Sequence, residues 1–336
     1  MSMGGLSVFD LLPALAVFAA VLVLLMVGLR RGARLLPLDR PNERSLHSVP
    51  VPRFGGMVMM IALLPIALAT VAASVVWVVP VCLLAMVSAI DDVRGLPARI
   101  RFSVQGAAAA WVVWWFLGDS PVWLMLLAWV VTVWMANLYN FMDGSDGLAG
   151  GMALIGFACF AFTAWAKGDM VLATANLLVV GAAAAFLVFN FHPARVFMGD
   201  TGSVPLGFLA AVFGMAGWKA GHWPFMFPAL VFSPFIIDAT VTLLRRLYRG
   251  ERVWQAHKSH YYQRLIQSGA GHRNVALIEY VLMLAVGAIA IWGAFHDQIG
   301  VATGVVAVIL FLSGWWVDHE WARAQVERQS GTANGP

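Results

Sequence analysis

Charge is what this chain lacks. Asp, Glu, Lys and Arg make up only 11% of its 336 residues, while 61% are apolar. Soluble domains carry roughly 25% charged residues, so an ordinary globular enzyme is excluded. Cysteine is scarcer still. Cys82 and Cys159 are the only two and both sit inside apolar runs, which leaves no disulfide framework or cysteine-based metal centre and makes them small hydrophobic residues. Acids within the apolar runs are also few: Asp238 and Glu279 are the clear ones, each near one end of its run, with Arg245 or Arg246 as the expected partner of Asp238. A transporter or flippase, the main alternative of another class, needs polar groups near the bilayer midplane. A cleavable signal is not expected either, because the first apolar run has Asp10 at its start and Arg30, Arg31 and Arg34 after it, the reverse of a signal peptide. Although the isoelectric point is near 9.4, the basic residues gather in a few loops instead of forming a nucleic-acid face, and no nucleic-acid partner is expected.

Long apolar runs are abundant. With about 20 residues per crossing, hydropathy predicts eleven spans, near 8–29, 54–72, 74–90, 103–117, 121–138, 148–166, 170–189, 203–218, 224–244, 275–295 and 299–317. The fold expected is an all-α polytopic membrane protein, one domain over 1–330, with an unstructured tail at 331–336. Placing the N-terminus outside and the C-terminus in the cytosol puts nineteen of the twenty-one Lys and Arg in cytosolic segments, leaving only Lys167 and Lys219 elsewhere. That imbalance is what the positive-inside rule asks for.

The same loops hold the chemistry-bearing residues. Asp91-Asp92 ends one run at headgroup level. Adjacent acids repel unless a cation or proton shares them, although a solvated helix end with Arg94 as partner would look the same. In Asn137-Leu-Tyr-Asn140-Phe-Met-Asp143-Gly-Ser-Asp146-Gly-Leu, oxygen-bearing side chains recur every third residue, so Asn137, Asn140 and Asp143 can share a helix face. Such oxygens suit Mg²⁺, which binds through one or two carboxylates and substrate phosphates. Asn190-Phe-His-Pro-Ala-Arg195-Val-Phe-Met-Gly199-Asp200-Thr-Gly-Ser203 closes one run and opens another. Asp200 can receive a metal there, or Asp200, Thr201 or Ser203 can cap the following helix. Loop 245–274 is basic and carries His257-Lys258-Ser-His260 and Arg264. Two His beside cations suit a diphosphate, and no further ligands suggest zinc.

In this order the four motifs resemble the polyprenyl-phosphate N-acetylhexosamine-1-phosphate transferase family, from about Leu38 to Ser268. The loop Pro41-Asn-Glu-Arg44-Ser-Leu-His47-Ser-Val-Pro-Val-Pro-Arg-Phe-Gly55-Gly56 also looks like the family's first cytosolic loop. The resemblance implies a bacterial inner-membrane enzyme with a cytosol-facing site. Its donor would be a UDP-N-acetyl-amino-sugar and its acceptor undecaprenyl phosphate, with UMP released. Mg²⁺ would be required, Mn²⁺ would substitute, and a homodimer is compatible. Asp200, Asp143 and Asp92 are the implied metal ligands and Asp91 the implied base. His47, Asn137, Asn140, Asp146, Asn190, Arg195, His257, Lys258, His260 and Arg264 are the implied substrate contacts. The His-Lys-Ser-His-Tyr-Tyr-Gln-Arg segment is similar to the branch that initiates O-antigen and related glycans. It departs from the triple-His motif of the peptidoglycan lipid-intermediate branch, which is the runner-up. The Asp-Gly-x-x-Ala-Arg signature of CDP-alcohol phosphotransferases is missing, since Ser145-Asp146-Gly147 follows Gly144.

Overall fold

The computed structural model describes residues 8–31, 38–39, 46, 49–252 and 257–333. It is a bundle of helices: α1 (Val8–Arg31), α2 (Gly55–Thr70), α3 (Val75–Arg94), α4 (Ala98–Leu117), α5 (Val122–Met142), α6 (Leu148–Ala166), α7 (Met170–Asn190), α8 (Asp200–Lys219), α9 (Phe227–Val231), α10 (Ser233–Tyr248), α11 (Tyr261–Leu265), α12 (Gly271–Phe295) and α13 (Ile299–Ala333). A π turn at Ile266–Ala270 joins α11 to α12. Helices close their own backbone hydrogen bonds, the condition for crossing a medium without water. Between α1 and α2, the strands β1 (Leu38–Asp39) and β2 (Val51–Pro52) pair antiparallel, Leu38 opposite Pro52.

Among the described residues nine helical segments are long and apolar enough to span a bilayer, counting α11 through α12 as one. Two of the eleven expected spans fall short. α2 has 16 residues, about 24 Å at 1.5 Å per residue against a hydrocarbon layer of about 30 Å. The run 224–244 breaks at Phe232 into α9 and α10. Pro234 has no N–H to donate to the Leu230 carbonyl four residues back, the Ser233 hydroxyl donates to that carbonyl instead (2.7 Å), and Phe232 packs edge-on against Phe157 and Phe160. Residues 331–333 continue α13, where an unstructured tail is expected.

Burial separates the helices. In its most apolar window α8 is 83% buried, whereas α13 is 11% buried. α8 threads the centre, against α3 and α5, and its small residues set the distances. A Cβ on Gly56 would lie 2.3 Å from the Gly202 amide, so this glycine pair lets the start of α2 touch the start of α8. Several helices overrun their apolar runs at one end: α3 continues to Arg94, α4 begins at Ala98, α5 reaches Met142 and α8 starts at Asp200. Among the described residues, that end carries the polar motifs of the sequence analysis.

Candidate active site

Asp91 and Asp92 occupy the last turn of α3, and their side chains part. Asp91 accepts from Arg101 of α4 (3.0 Å) and from the Leu96 amide. Its partner is therefore Arg101, not Arg94. Asp92 turns to α8, taking the Thr201 hydroxyl (2.7 Å) and the amides of Thr201 (3.2 Å) and Asp200 (3.3 Å). A carboxylate at a helix N-terminus binds free amides and opposes the helix dipole. The N-cap of α8 is Gly199, which has no side chain to do this. Local capping by Asp200, Thr201 or Ser203 is thus replaced by a cap from another helix. Gly199 has φ +74°, and a Cβ there would meet Arg53 Nε at 2.9 Å and Asp92 Oδ2 at 3.0 Å.

Arg53 joins the carboxylates. Its guanidinium lies 3.1 Å from Asp92 and donates to Asp200. The backbone of this segment is pinned: Phe197 N donates to Pro52 O (2.8 Å), and the Gly55 and Gly56 amides donate to Phe197 and Met198 carbonyls, both at 2.9 Å. Burial disfavours the Arg53 charge, yet the fields of Asp200, Asp92 and Asp143 raise its pKa above the ordinary value. Asp143 follows the last turn of α5. Burial, with Asp200 and Asp92 adding to it and Arg53 opposing, holds its carboxyl well above the usual carboxylate range. Asn140 donates to Asp200 (3.3 Å) and accepts from Ser203 (2.9 Å). Asn137 donates to Gln105 (2.7 Å). Asp91, Arg101, Gln105, Asn137, Asn140 and Asp200 line one polar cleft.

Asp146 and Asn190 belong to a neighbouring clasp. Asp146 accepts from the Ala194 amide (3.1 Å) and sits 2.6 Å from His192 Nδ1. Asn190 is buried, accepting from Gly147 N (2.9 Å) and donating to Val196 O (3.0 Å). The His192 ring stacks on His272, centroids 5.5 Å apart. His272 in turn bonds Ser145 (2.9 Å) and the Leu46 carbonyl (3.1 Å). It ties the loops after α5 and α7 and the segment before β2 together.

The basic loop is organised differently. His260 is buried, 3.2 Å from Asp238, which also accepts the Tyr261 and Tyr262 amides at 2.8 and 3.1 Å. Asp238 thus caps α11; Arg245 instead donates to Asp318 (3.0 and 3.1 Å) and Arg246 to Glu251 (2.7 Å). Arg264 donates to Asp318 (3.0 Å). His260 stacks on Phe141, two residues before Asp143. His257 lies against His260, and burial followed by the His260 and Arg246 charges pushes its pKa down to about 4. The Lys258 carbonyl accepts from Gln267 (2.9 Å). Arg195 donates to Val188 O (3.0 Å) and covers the Phe189 ring, at the end of α7. His47 lies outside the described residues.

The structure therefore gathers Asp91, Asp92, Asn140, Asp143 and Asp200 around two guanidinium groups, with Asn137 alongside. Arg264 and Arg195 are engaged elsewhere. Sequence reasoning missed Arg53, Arg101, Gln105, Ser145 and His272, and it named Thr201 only as a local cap. Arg53 sits 147 residues from Asp200, and only its place in a motif-rich loop marked it.

The donors suit a hard divalent ion. Four carboxylates face two guanidinium groups here, and all the side-chain acceptors are oxygens. Among the described residues no three His, Cys, Asp or Glu side chains stand at metal-binding spacing. Arg53 lies between two of the implied ligands.

The glycosyl transferase family 4 model matches residues 74–217, the stretch that contributes Asp91, Asp92, Asp143 and Asp200. A probable undecaprenyl-phosphate N-acetylglucosaminyl 1-phosphate transferase of Bacillus subtilis is 28% identical over 78% of this chain and 78% of its own length. A decaprenyl-phosphate N-acetylglucosaminephosphotransferase of Mycobacterium tuberculosis is 29% identical, covering 82% of this chain and 79% of that one. A phospho-N-acetylmuramoyl-pentapeptide-transferase of Halalkalibacterium halodurans is 34% identical, over 48% of this chain and 49% of its own.

Proposed function

We propose that this chain is a member of glycosyl transferase family 4 and that it moves a sugar-1-phosphate from a nucleotide sugar onto a polyprenyl phosphate in the membrane. The finer reading is a UDP-N-acetyl-amino-sugar donor, undecaprenyl phosphate as acceptor and UMP as the second product. The membrane would be the bacterial inner membrane, with the carboxylate end facing the cytosol and the product feeding O-antigen or a similar envelope glycan. One observation carries the reaction class. Carboxylates from three separate segments converge on one spot at the helix ends, where a soluble diphosphate and a lipid phosphate can meet. An apolar groove of about 260 Å³ between α4, α5, α8, α9 and α10, lined by Leu127, Val131, Met135, Ala211 and Ile236, supports a prenyl chain lying beside α5 and α8. The peptidoglycan-type reading draws on the Halalkalibacterium match. The N-acetylglucosamine relatives align over much more of the chain.

Asp200 and Asp143, together with Asp92, are the residues that would hold Mg²⁺ or Mn²⁺. The bound ion would offset charge on the donor diphosphate, as is usual in phosphoryl transfer. In the reaction an acceptor phosphate oxygen forms a bond to the phosphorus bearing the sugar while the bond to UMP breaks. A phosphate monoester has a second pKa of about 6, so at neutral pH the acceptor is largely dianionic and needs little help from a base. Asp91, held by Arg101 and the Leu96 amide, would take the remaining proton. Asp92 keeps the α8 N-terminus, and so Asp200, in place. Asp146 and Asn190 fix the loops around the donor.

The test uses the purified protein, undecaprenyl phosphate and a panel of UDP-sugars, read by UMP release. Release with at least one UDP-N-acetyl-amino-sugar, abolished by excess EDTA and restored by Mg²⁺, is expected. Undiminished release in EDTA would remove the metal, and no release with any donor would remove the reaction.

A further inference from the structure

We propose that Arg53 is a tethered cation that occupies the metal position between Asp92 and Asp200 and exchanges it for the donor diphosphate when a divalent ion arrives. This deepens the metal-dependent reading above and rests on it. The guanidinium touches both carboxylates at once, as a bridging divalent ion would. Its planar fork suits this, and the same fork recognises phosphate oxygens.

The surroundings are built for such an exchange. The main chain around Arg53 cannot move far, because Pro52, Gly55 and Gly56 are bonded to Phe197 and Met198 and residue 53 bridges residue 197. The side chain is freer, about one-third exposed (31%), while those of Asp92 and Asp200 are 8% and 14% exposed. Gly199 leaves the space that the guanidinium fills. Without a cation of some kind, the carboxylates of Asp92, Asp143 and Asp200 would repel at close quarters in a poorly hydrated pocket. Arg53 answers that repulsion by pairing with Asp92 and Asp200. With a divalent ion held by Asp92 and Asp200, the Arg53 guanidinium would be free to pair with the negative charges of the donor diphosphate. Metal and donor then bind cooperatively, because each removes the obstacle to the other. The ion is kept from binding tightly until the donor is there to receive the arginine.

Mn²⁺ affinity, read by electron paramagnetic resonance on the full chain in nanodiscs, tests this without turnover. UDP serves as the diphosphate and no acceptor lipid is present. UDP should tighten Mn²⁺ binding to the wild-type protein about tenfold, within the usual range of coupling between sites. Arg53→Gln should bind Mn²⁺ alone about tenfold more tightly than wild type and lose most of the UDP effect. Its thermal midpoint in EDTA should drop, because partners are left unpaired, and Mn²⁺ should restore it more than it raises the wild type. Arg53→Lys keeps a charge but not the fork. It should fold where the Gln variant does not, with Mn²⁺ affinity between the two and a reduced UDP effect. Wild-type affinity, or weaker, for Mn²⁺ alone in folded Arg53→Gln or Arg53→Lys would overturn the proposal while leaving the metal reading intact. No Mn²⁺ binding to the wild type, with or without UDP, would sink both.

Discussion

Two groups of charge lie at the same end of the bundle, and they are balanced in opposite ways. Around α10, α11 and α13 the charges close on one another. Asp238 holds His260 and two amides, Asp318 holds Arg245 and Arg264, and Glu251 holds Arg246. Around α3, α5 and α8 they do not close: four carboxylates share two guanidinium groups, and Asp143 is held well above the usual carboxylate range by burial. Charge that is balanced internally fastens helices together. An excess of buried negative charge is held in place by the fold around it, and such an excess is where a cation and its phosphates can bind.

The contrast can be broken from either side. The largest effect is expected from Asp200→Asn, which removes one charge from the unbalanced group without changing its shape. UMP release should fall about a thousandfold, the scale of losing one preorganised electrostatic contact. Near-normal release would place the chemistry elsewhere. Asp143→Asn comes next, and here stability and activity should move in opposite directions. A carboxyl whose folded pKa is raised binds more protons folded than unfolded. Its contribution to stability is therefore full below the unfolded pKa and is lost as pH rises through the folded value. In EDTA the wild-type thermal midpoint should drop as pH rises above the usual carboxylate range, and the Asn variant should drop less while releasing little UMP. An equal drop in both would mean that the buried carboxyl is not what the fold resists. The smallest effect belongs to the balanced group. Asp318→Asn should lower stability by less than about 1 kcal/mol, as for partly exposed ion pairs, and leave UMP release near wild type. A large loss of activity would mean that α13 also shapes the donor site.

Hydropathy located the helices well, because a chain in lipid must keep apolar side chains outward and bond its own backbone. It misjudged their ends. Arg99, Arg101, Asn140, Asp200 and Thr201 continue helices that hydropathy alone would end or begin elsewhere. Helix ends follow from capping, which is a matter of partners. The cap of α8 is a clear case, since Asp92 is 108 residues from Asp200. Spacing showed that Asn137, Asn140 and Asp143 could share a face, yet gave no means of knowing that Gln105 and Ser203 would bond the first two. The basic loop was hardest to read. His260 and Arg264 have the composition of phosphate ligands, but Asp238 and Asp318 reach them across the fold.

What the sequence determined by itself was the medium and the end at which polar chemistry gathers, because hydrophobicity and charge add along a chain whatever its path. Which acid caps a helix, which awaits a cation and which arginine stands between them were decided only by tertiary structure. Those roles depend on distances of about 3 Å between residues from different helices, and such distances exist only once the helices have packed.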